Sequence, residues 1–376
     1  MISNQLLNFF KTNKLLTIVM KNRKLILILS FFIASVVSDQ TIGLPTRPET
    51  DATMISNSPT VNYSLIKGET KLRLQQGNET RRKKTGIKEK IILDTDIGSD
   101  IDDAICLAYL LAKPECELLG ITTVSGEADN RAMIASMICK AAGKHIPIFP
   151  GAEEPLIIPQ KQPIARQAKV LSAWEHEKKF PHGEAIEFMR QTIRKYPGEI
   201  TLIAIGPLTN IALLFKIDPE IPHLLKSLVM MGGVFINLNP YPTEWNIRCD
   251  PHAAAIVYRS HANIHKSIGL DVTLKVTMAV SEVQDRFKSS SLLPVLDIIK
   301  ALYKPTDIIT FHDPLAVTTI FNKEICSFKK GKVEVEIAGE RGEGFTAWEQ
   351  CETGGFHEVA AEVNSQNFFT EYFSVF

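Results

Sequence analysis

The stretch KIILDTDIGSDIDDAICLAYLLA, residues 90–112, decides the fold. An aliphatic run ends in Asp94, Gly98 turns the chain, and from Asp102 the apolar residues Ile105, Ala108 and Leu111 recur at helical spacing. Strand, short turn and helix in that order make half of a βαβ unit. The turn carries Asp94, Asp96, Asp100, Asp102 and Asp103. Carboxylates this close repel one another and raise each other's pKa unless positive charge sits among them. An aspartate at a helix start accepts backbone N–H bonds and complements the helix dipole, which accounts for one of them. The rest, as hard oxygen donors in a short glycine-turned loop, point to a bound Ca²⁺ or Mg²⁺.

The pattern continues along the chain. Apolar runs in LLGITTVSG (118–126), ITLIAIGP (200–207), SLVMMGGVF (227–235) and KSIGLDVT (266–273) alternate with the helical stretches RAMIASMICKAAG (131–143) and PHAAAIVYRS (251–260). That alternation predicts an α/β protein, a single Rossmann-like domain with a mostly parallel central sheet, over residues 89–376. No GxGxxG fingerprint and no internal repeat occur. Ligands of open α/β sheets lie beyond the carboxyl ends of the strands, so the residues just after each run are the candidates for chemistry.

The first part of the chain reads differently. Lys21, Arg23 and Lys24 precede the apolar run Leu25–Val37, too short for a comfortable membrane span and suited to the core of a signal peptide. Residues 1–38 are therefore expected to act as a signal peptide or signal anchor, with cleavage near Ser38 and Met20 as a more conventional start. Export, to a secreted or periplasmic destination, follows, with a membrane tether as the form an uncleaved anchor would take. Residues 39–88 are polar, rich in Thr, Asn and Pro, and end in the basic run Arg81–Lys84, the composition of a disordered linker. Asn62 and Asn78 stand in N-glycosylation acceptor motifs.

The 376-residue chain is 45% apolar, enough for a large core, and its 42 Lys and Arg balance 42 Asp and Glu. No excess positive field exists to gather a phosphate backbone, which argues against nucleic acid as a partner. The six cysteines show neither C-x-x-C nor zinc-type spacing and read chiefly as small buried hydrophobes.

Three later motifs fall after apolar runs or open helices: GPLTN (206–210), TEWNIRCDP (243–251) following MGG (231–233), and FHDPLAV (311–317). Each alone also reads as a strand-to-helix turn or a capping segment, with proline early in the helix. Together with the aspartate loop, GPLTN, the E-x-N-x-x-x-D-P segment from Glu244 to Pro251 and HDPLA resemble the inosine–uridine-preferring nucleoside hydrolases, from about Ile91 to the HDPLAV segment.

The resemblance implies the nucleoside hydrolase fold, a nucleoside as small-molecule substrate, a homo-oligomer, and Ca²⁺-dependent cleavage of the N-glycosidic bond of ribonucleosides by water. Carried over by motif, Asp96, Asp103 and Asp313 are implied as carboxylate ligands of the ion, with the backbone carbonyl of Thr209 as a further ligand. Asp102 is implied as the general base, and Glu244 and Asn246 as binders of ribose hydroxyls. His312 is implied to lie near the leaving base as a catalytic residue that protonates it, with a purely structural role as the alternative. Asn239, in competition with Asn237, is the candidate for one more ribose contact.

The chain departs from the family's D-x-D-P-G-x-D-D loop: Ile97 replaces the proline and the loop is two residues longer, which makes Asp100 a rival to Asp102. Glu127 stands where an asparagine that touches the sugar is usual, and is a candidate substrate contact. The family's H-G-x-x-G-L segment has no clear counterpart, since PHGEAIEF (181–188) shares only His-Gly. Trp245 could stack on substrate, although an aromatic residue in a packed loop usually joins the core. Two other readings of the acidic loop are a haloacid-dehalogenase-like Mg²⁺ phosphatase and a secreted calcium-binding module without chemistry.

Overall fold

A computed structural model describes residues 88–236, 242–338, 342–351 and 353–376. The expected signal segment, the linker with its glycosylation acceptors as far as residue 87, Asn237 and Asn239 lie outside these residues.

Strand β1 (Glu89–Thr95) lies third from one edge of a nine-stranded sheet in the order β10-β9-β11-β6-β5-β4-β1-β2-β3. To one side lie β2 (Cys116–Thr123) and β3 (Ile148–Pro150); to the other lie β4 (Ile200–Ala204), β5 (Ser227–Met231) and β6 (His265–Ile268), all parallel. The chain thus leaves β1 toward β3 and returns across it to β4. This is a topological switch point, and it opens a crevice at the carboxyl end of β1, just where the aspartate loop begins.

Two antiparallel strands, β9 (Cys326–Val335) and β10 (Thr346–Gln350), extend the sheet through β11 (His357–Val363), which is parallel to β6 and antiparallel to β9. A separate pair, β7 (Thr277–Ala279) with β8 (Ile308–Thr310), leads straight into the His312 segment. Sequence periodicity anticipated β1, β2, β4, β5 and β6; it did not anticipate the three-residue β3, β7 and β8, too short to show a period, or β9, β10 and β11, in which charged residues interrupt the apolar ones.

The strand period of two places β1 between two cores. Ile91 and Leu93 join one apolar cluster and Ile92 the other. The first cluster is covered by α1 (Asp102–Ala112), α2 (Ala128–Ala141) and α11 (His312–Phe321); the second by α3 (Ala185–Lys195), α4 (Thr209–Ile217) and α7 (Pro251–Tyr258). The remaining helices are short or peripheral: α5 (Ile221–Leu224), α6 (Trp245–Cys249), α8 (Leu270–Thr273), α9 (Val280–Arg286), α10 (Leu293–Leu302) and α12 (Ser365–Phe373). All six cysteines are free thiols, and all but Cys351 are fully buried. Among the described residues no helix is long and apolar enough to cross a membrane.

Candidate active site

Four segments converge at the switch point, each for a local reason. Asp96 follows the end of β1. Asp102 and Asp103 occupy the first turn of α1, whose N-cap is Ile101 with no side-chain cap. The expectation that an aspartate caps this helix therefore fails: both acids lie inside the helix, beside its positive end, with their carboxylates free for other work. Asp313 likewise sits in the first turn of α11. The GPLTN turn packs against the loop so closely that a Cβ on Gly206 would lie 2.9 Å from the backbone nitrogen of Asp96, which is why glycine is needed there. Asp102, Asp103 and Asp313 each bring a carboxylate oxygen into a group spanning no more than 4.8 Å.

All four carboxylates are buried. Burial, and then repulsion among the aspartates, pushes Asp102, Asp103 and Asp313 well above the usual carboxylate range. Asp96 is also raised by burial, with Arg131 pulling against it. Arg131 is the one arginine buried with them, 0% exposed. Its guanidinium donates to main-chain carbonyls, Gly126 at 2.9 Å, Asp96, Ile97 and Gln162 at 3.3 Å each for the last two, and to the Ser99 hydroxyl at 2.9 Å. One guanidinium so engaged cannot balance four carboxylates, and uncompensated buried charge is costly. An all-oxygen donor set with an unmet need for positive charge fits a hard divalent cation.

The partners of each acid differ. Asp103 accepts the Thr95 hydroxyl. Asp96 accepts the Gln162 side-chain amide, whose oxygen in turn accepts the Trp245 indole N–H at 2.7 Å. Among the described residues, the one hydrogen bond that reaches Asp102 from another residue comes from the backbone N–H of Asp313, at 3.3 Å. Thr209 opens α4 and donates its hydroxyl to Asp250 at 2.8 Å; Asp250 also caps α7 at Ala253, 2.9 Å, with Pro251 at the first helical position. Next to it, Asn210 donates to Asp94 at 2.7 Å. Asp94 is fully buried, pushed up to about 7 by that burial, and holds the turn from beneath.

These groups open into a cavity of about 920 Å³. Glu244 and Asn246 line it beside the ends of β4 and β5. Glu244 caps α6, accepting from the backbone of Asn246 at 2.8 Å, Ile247 at 3.1 Å and Gly233 at 3.2 Å, and burial pushes it up to about 7. Asn246 donates to the carbonyls of Ile205 at 2.9 Å and Met231 at 3.2 Å. On another wall His312 pairs through Nδ1 with the Thr273 hydroxyl at 2.8 Å, and burial lowers it to about 4. Leu270, Leu274, Thr310 and Tyr303 lie on the same side, and Asp100, Ile164 and Arg166 complete that rim.

Two expectations are revised. Glu127 is absent from the cavity lining: its backbone is left-handed (φ 61°) and its carboxylate accepts the Ala165 N–H at 2.9 Å, so it braces the 163–167 segment instead of meeting the sugar. Trp245 is not core; it is 46% exposed and lines the cavity, with the Arg248 guanidinium 5.7 Å from its ring centre. Among the described residues the candidate metal group includes Asp102, which the resemblance had assigned to proton transfer, and leaves Asp96 just outside. The His-Gly of PHGEAIEF lies on the surface at the start of α3, away from the cavity. Sequence reading missed Arg131, Gln162, Gln167 and Tyr303 altogether.

Fold and site together define an α/β protein built on a buried acidic centre at the switch point of its sheet. The family model of the inosine-uridine preferring nucleoside hydrolases matches residues 91–370, and the chain belongs to that family. It is an N-glycosyl hydrolase acting on ribonucleosides. Uridine nucleosidase 1 of Arabidopsis thaliana is 32% identical over 276 residues, 68% of this chain and 80% of that protein. The inosine-uridine preferring nucleoside hydrolase of Leishmania major is 31% identical over 275 residues, 68% and 86% of the two chains. A solved purine-preferring ribonucleoside hydrolase from Gardnerella vaginalis matches with a TM-score of 0.65 at 25% identity, over 76% of this chain and 97% of that one. Neither the phosphatase nor the non-catalytic reading of the acidic loop is favoured. Asp94, the first acid of that loop, is sealed beneath the site and bonded to Thr122 and Asn210, no position for a nucleophile.

Proposed function

We propose that this chain cleaves the N-glycosidic bond of ribonucleosides with Ca²⁺ as its ion, held by Asp96, Asp103, Asp313 and the Thr209 carbonyl. Oxygen-only donors, several carboxylates with a backbone carbonyl among them, favour Ca²⁺, which takes more ligands from the protein than Mg²⁺ does. When bound, the ion would act as a Lewis acid toward water and anchor the sugar hydroxyls.

Asp102 is the base. The observation that carries this assignment is its isolation: it lies in the acidic group yet, among the described residues, accepts from another residue a single long bond, that of the Asp313 backbone. Its carboxylate is therefore open to take a proton from the attacking water. The water oxygen bonds to the anomeric carbon, the carbon–nitrogen bond breaks with its electron pair going to the nucleobase nitrogen, and the proton that Asp102 took is returned to that nitrogen through solvent. Glu244 and Asn246, both locked by backbone bonds, hold the ribose as it flattens toward an oxocarbenium-like transition state. His312, neutral near pH 7, takes the Thr273 hydroxyl at Nδ1 and offers Nε2–H to the leaving base as a hydrogen-bond donor.

The test is ribose release from inosine and uridine by metal-depleted protein, before and after Ca²⁺ is restored. Activity that survives chelation, or that Mg²⁺ restores equally well, would refute the calcium reading. Export through the Leu25–Val37 segment, with or without a membrane tether, belongs to the same proposal; a mature chain beginning near Ser38 in a secreting host supports it, and an intact N-terminus in the cytosol refutes it. A homo-oligomer is the accompanying expectation for the purified domain, to be read by light scattering.

A further inference from the structure

The two-residue lengthening of the loop has produced a rigid feature. Gly98 takes φ +120°, and a Cβ there would meet Ala165 Cβ at 3.0 Å and Ile134 Cδ1 at 3.1 Å, so the loop is pressed against the 163–167 segment and α2. Gln167, fully buried, donates its backbone N–H to the Gly98 carbonyl at 3.0 Å and its side-chain amide to the Asp100 carbonyl. Arg131 holds the Ser99 hydroxyl. With its main chain fixed on both sides, Asp100 projects an exposed carboxylate into the cavity.

That carboxylate is half occupied. Oδ1 accepts the Ile101 N–H at 2.8 Å and the Tyr303 hydroxyl at 2.7 Å. Among the described residues no donor reaches Oδ2. Asp100 lines the same cavity as Asp102, His312, Leu270 and Leu274, two residues from Asp102 along the chain and bonded to the Tyr303 hydroxyl. The wall of Leu270, Leu274 and Tyr303 is the apolar part of the cavity, suited to a flat heterocycle, whereas Glu244 and Asn246 at the strand ends suit hydroxyls.

We infer that Asp100 Oδ2 is the acceptor that reads the edge of the nucleobase, selecting bases that present an imino N–H, as at N3 of uracil or N1 of hypoxanthine. The inference rests on the nucleoside-hydrolase reading of the site and goes beyond it in assigning base discrimination to a residue of the lengthened loop. Tyr303 positions the carboxylate and does not itself meet the base through its hydroxyl, which is already donated. A carboxylate accepts and cannot donate, so a ring nitrogen bearing a lone pair, as in adenine or cytosine, faces it unfavourably. N-methylation of the imino position removes the donor and adds bulk in the same place.

The experiment compares kcat/KM for inosine against 1-methylinosine and uridine against 3-methyluridine in the wild-type chain, Asp100→Ala and Tyr303→Phe, with 4-nitrophenyl riboside as a substrate whose leaving group has no imino edge. A charge-assisted hydrogen bond predicts that wild type favours each unmethylated nucleoside by about 10- to 100-fold. Asp100→Ala should bring that ratio to within about 3-fold of unity and lose proportionately more on inosine than on the nitrophenyl riboside, with Tyr303→Phe between. An unchanged methyl ratio in Asp100→Ala overturns the inference. So does an equal loss on all substrates, which would place Asp100 at the reacting centre. Wild type that releases ribose from nothing would refute the hydrolase reading instead, and calorimetric binding of inosine against 1-methylinosine then decides the Asp100 assignment without turnover. Thermal melting of each variant separates loss of fold from loss of recognition.

Discussion

Among the described residues, two clusters of buried ionisable side chains are built on opposite plans. His265 and His357, the paired first residues of β6 and β11, lie with ring centres 4.8 Å apart, and Tyr258 stacks on His265 at 5.1 Å. His357 donates from Nε2 to the Tyr258 carbonyl at 2.9 Å and accepts the Val333 N–H at Nδ1, 3.1 Å, so both its nitrogens are served with the ring neutral. Burial lowers the pKa of both histidines. At the switch point, by contrast, Asp96, Asp102, Asp103 and Asp313 are buried without enough positive charge. Ionisable groups that are content when neutral hold a fold together; groups that need a partner the chain does not supply mark where a ligand belongs.

The largest effect that sharpens this contrast concerns activity. Asp102→Asn should lower kcat by about 10²–10⁴-fold with Ca²⁺ affinity kept within an order of magnitude, the usual worth of a positioned base. Asp103→Asn should lose ion and activity together. Isothermal titration beside a ribose assay distinguishes them; Asp102→Asn losing its ion as well would mean that Asp102 is a ligand, as its place in the acidic group permits.

Ion removal comes next. Saturating Ca²⁺ at a thousandfold above its dissociation constant should stabilise the domain by about 4 kcal/mol, read as a rise in melting temperature that a chelator reverses. Asp250→Ala should cost on the order of 2–3 kcal/mol in chemical denaturation, because it strands the Thr209 hydroxyl and the N–H groups of Leu156 and Ala253 in a buried place. A cost of a few tenths would show that the turn does not depend on this acid.

The smallest effects have opposite signs in the two regions. The raised carboxylates favour the metal-free fold below the ordinary aspartate value of 3.8, and that stability drains away as pH rises above it. Ca²⁺ should abolish that slope. The histidines act the other way: above 6.5 they contribute no slope, and as pH falls below it the unfolded chain takes protons that the fold refuses, costing up to about 1.4 kcal/mol per pH unit for each. His265→Phe should flatten the fall between pH 6.5 and 5 whether or not Ca²⁺ is present. A slope that vanishes with Ca²⁺ would move its origin to the acidic centre.

What the sequence revealed and what it hid follow from one distinction. Asp96, Asp102, Asp103, Glu244, Asn246 and Asp313 stood in short motifs after apolar runs, so local spacing alone brought them to one sheet edge. Arg131 and Gln167 carry no such signature: each is an ordinary polar residue on a helical turn, made important by main-chain carbonyls 31 to 67 positions away. Tyr303 meets Asp100 across 203 positions, beyond the reach of any periodicity. Glu127 was misread because its left-handed backbone turns the carboxylate toward Ala165, and residue type does not announce a positive φ. Trp245 was misjudged for a related reason. Its indole N–H is satisfied by Gln162, so the ring can stand at the cavity without being swallowed by the core.

Arg131 bears on how an ion would enter this site. By tying the carbonyls of Gly126, Asp96, Ile97 and Gln162 to one rigid fork, it gives three separate stretches of chain a common anchor whether or not an ion is present. Ion entry then requires desolvation of a ready-made cup and no folding of the loop. Backbone amides such as Ile97, which donates to the Thr95 hydroxyl at 3.1 Å, should exchange with solvent deuterium slowly in the metal-free protein as well as in the loaded one.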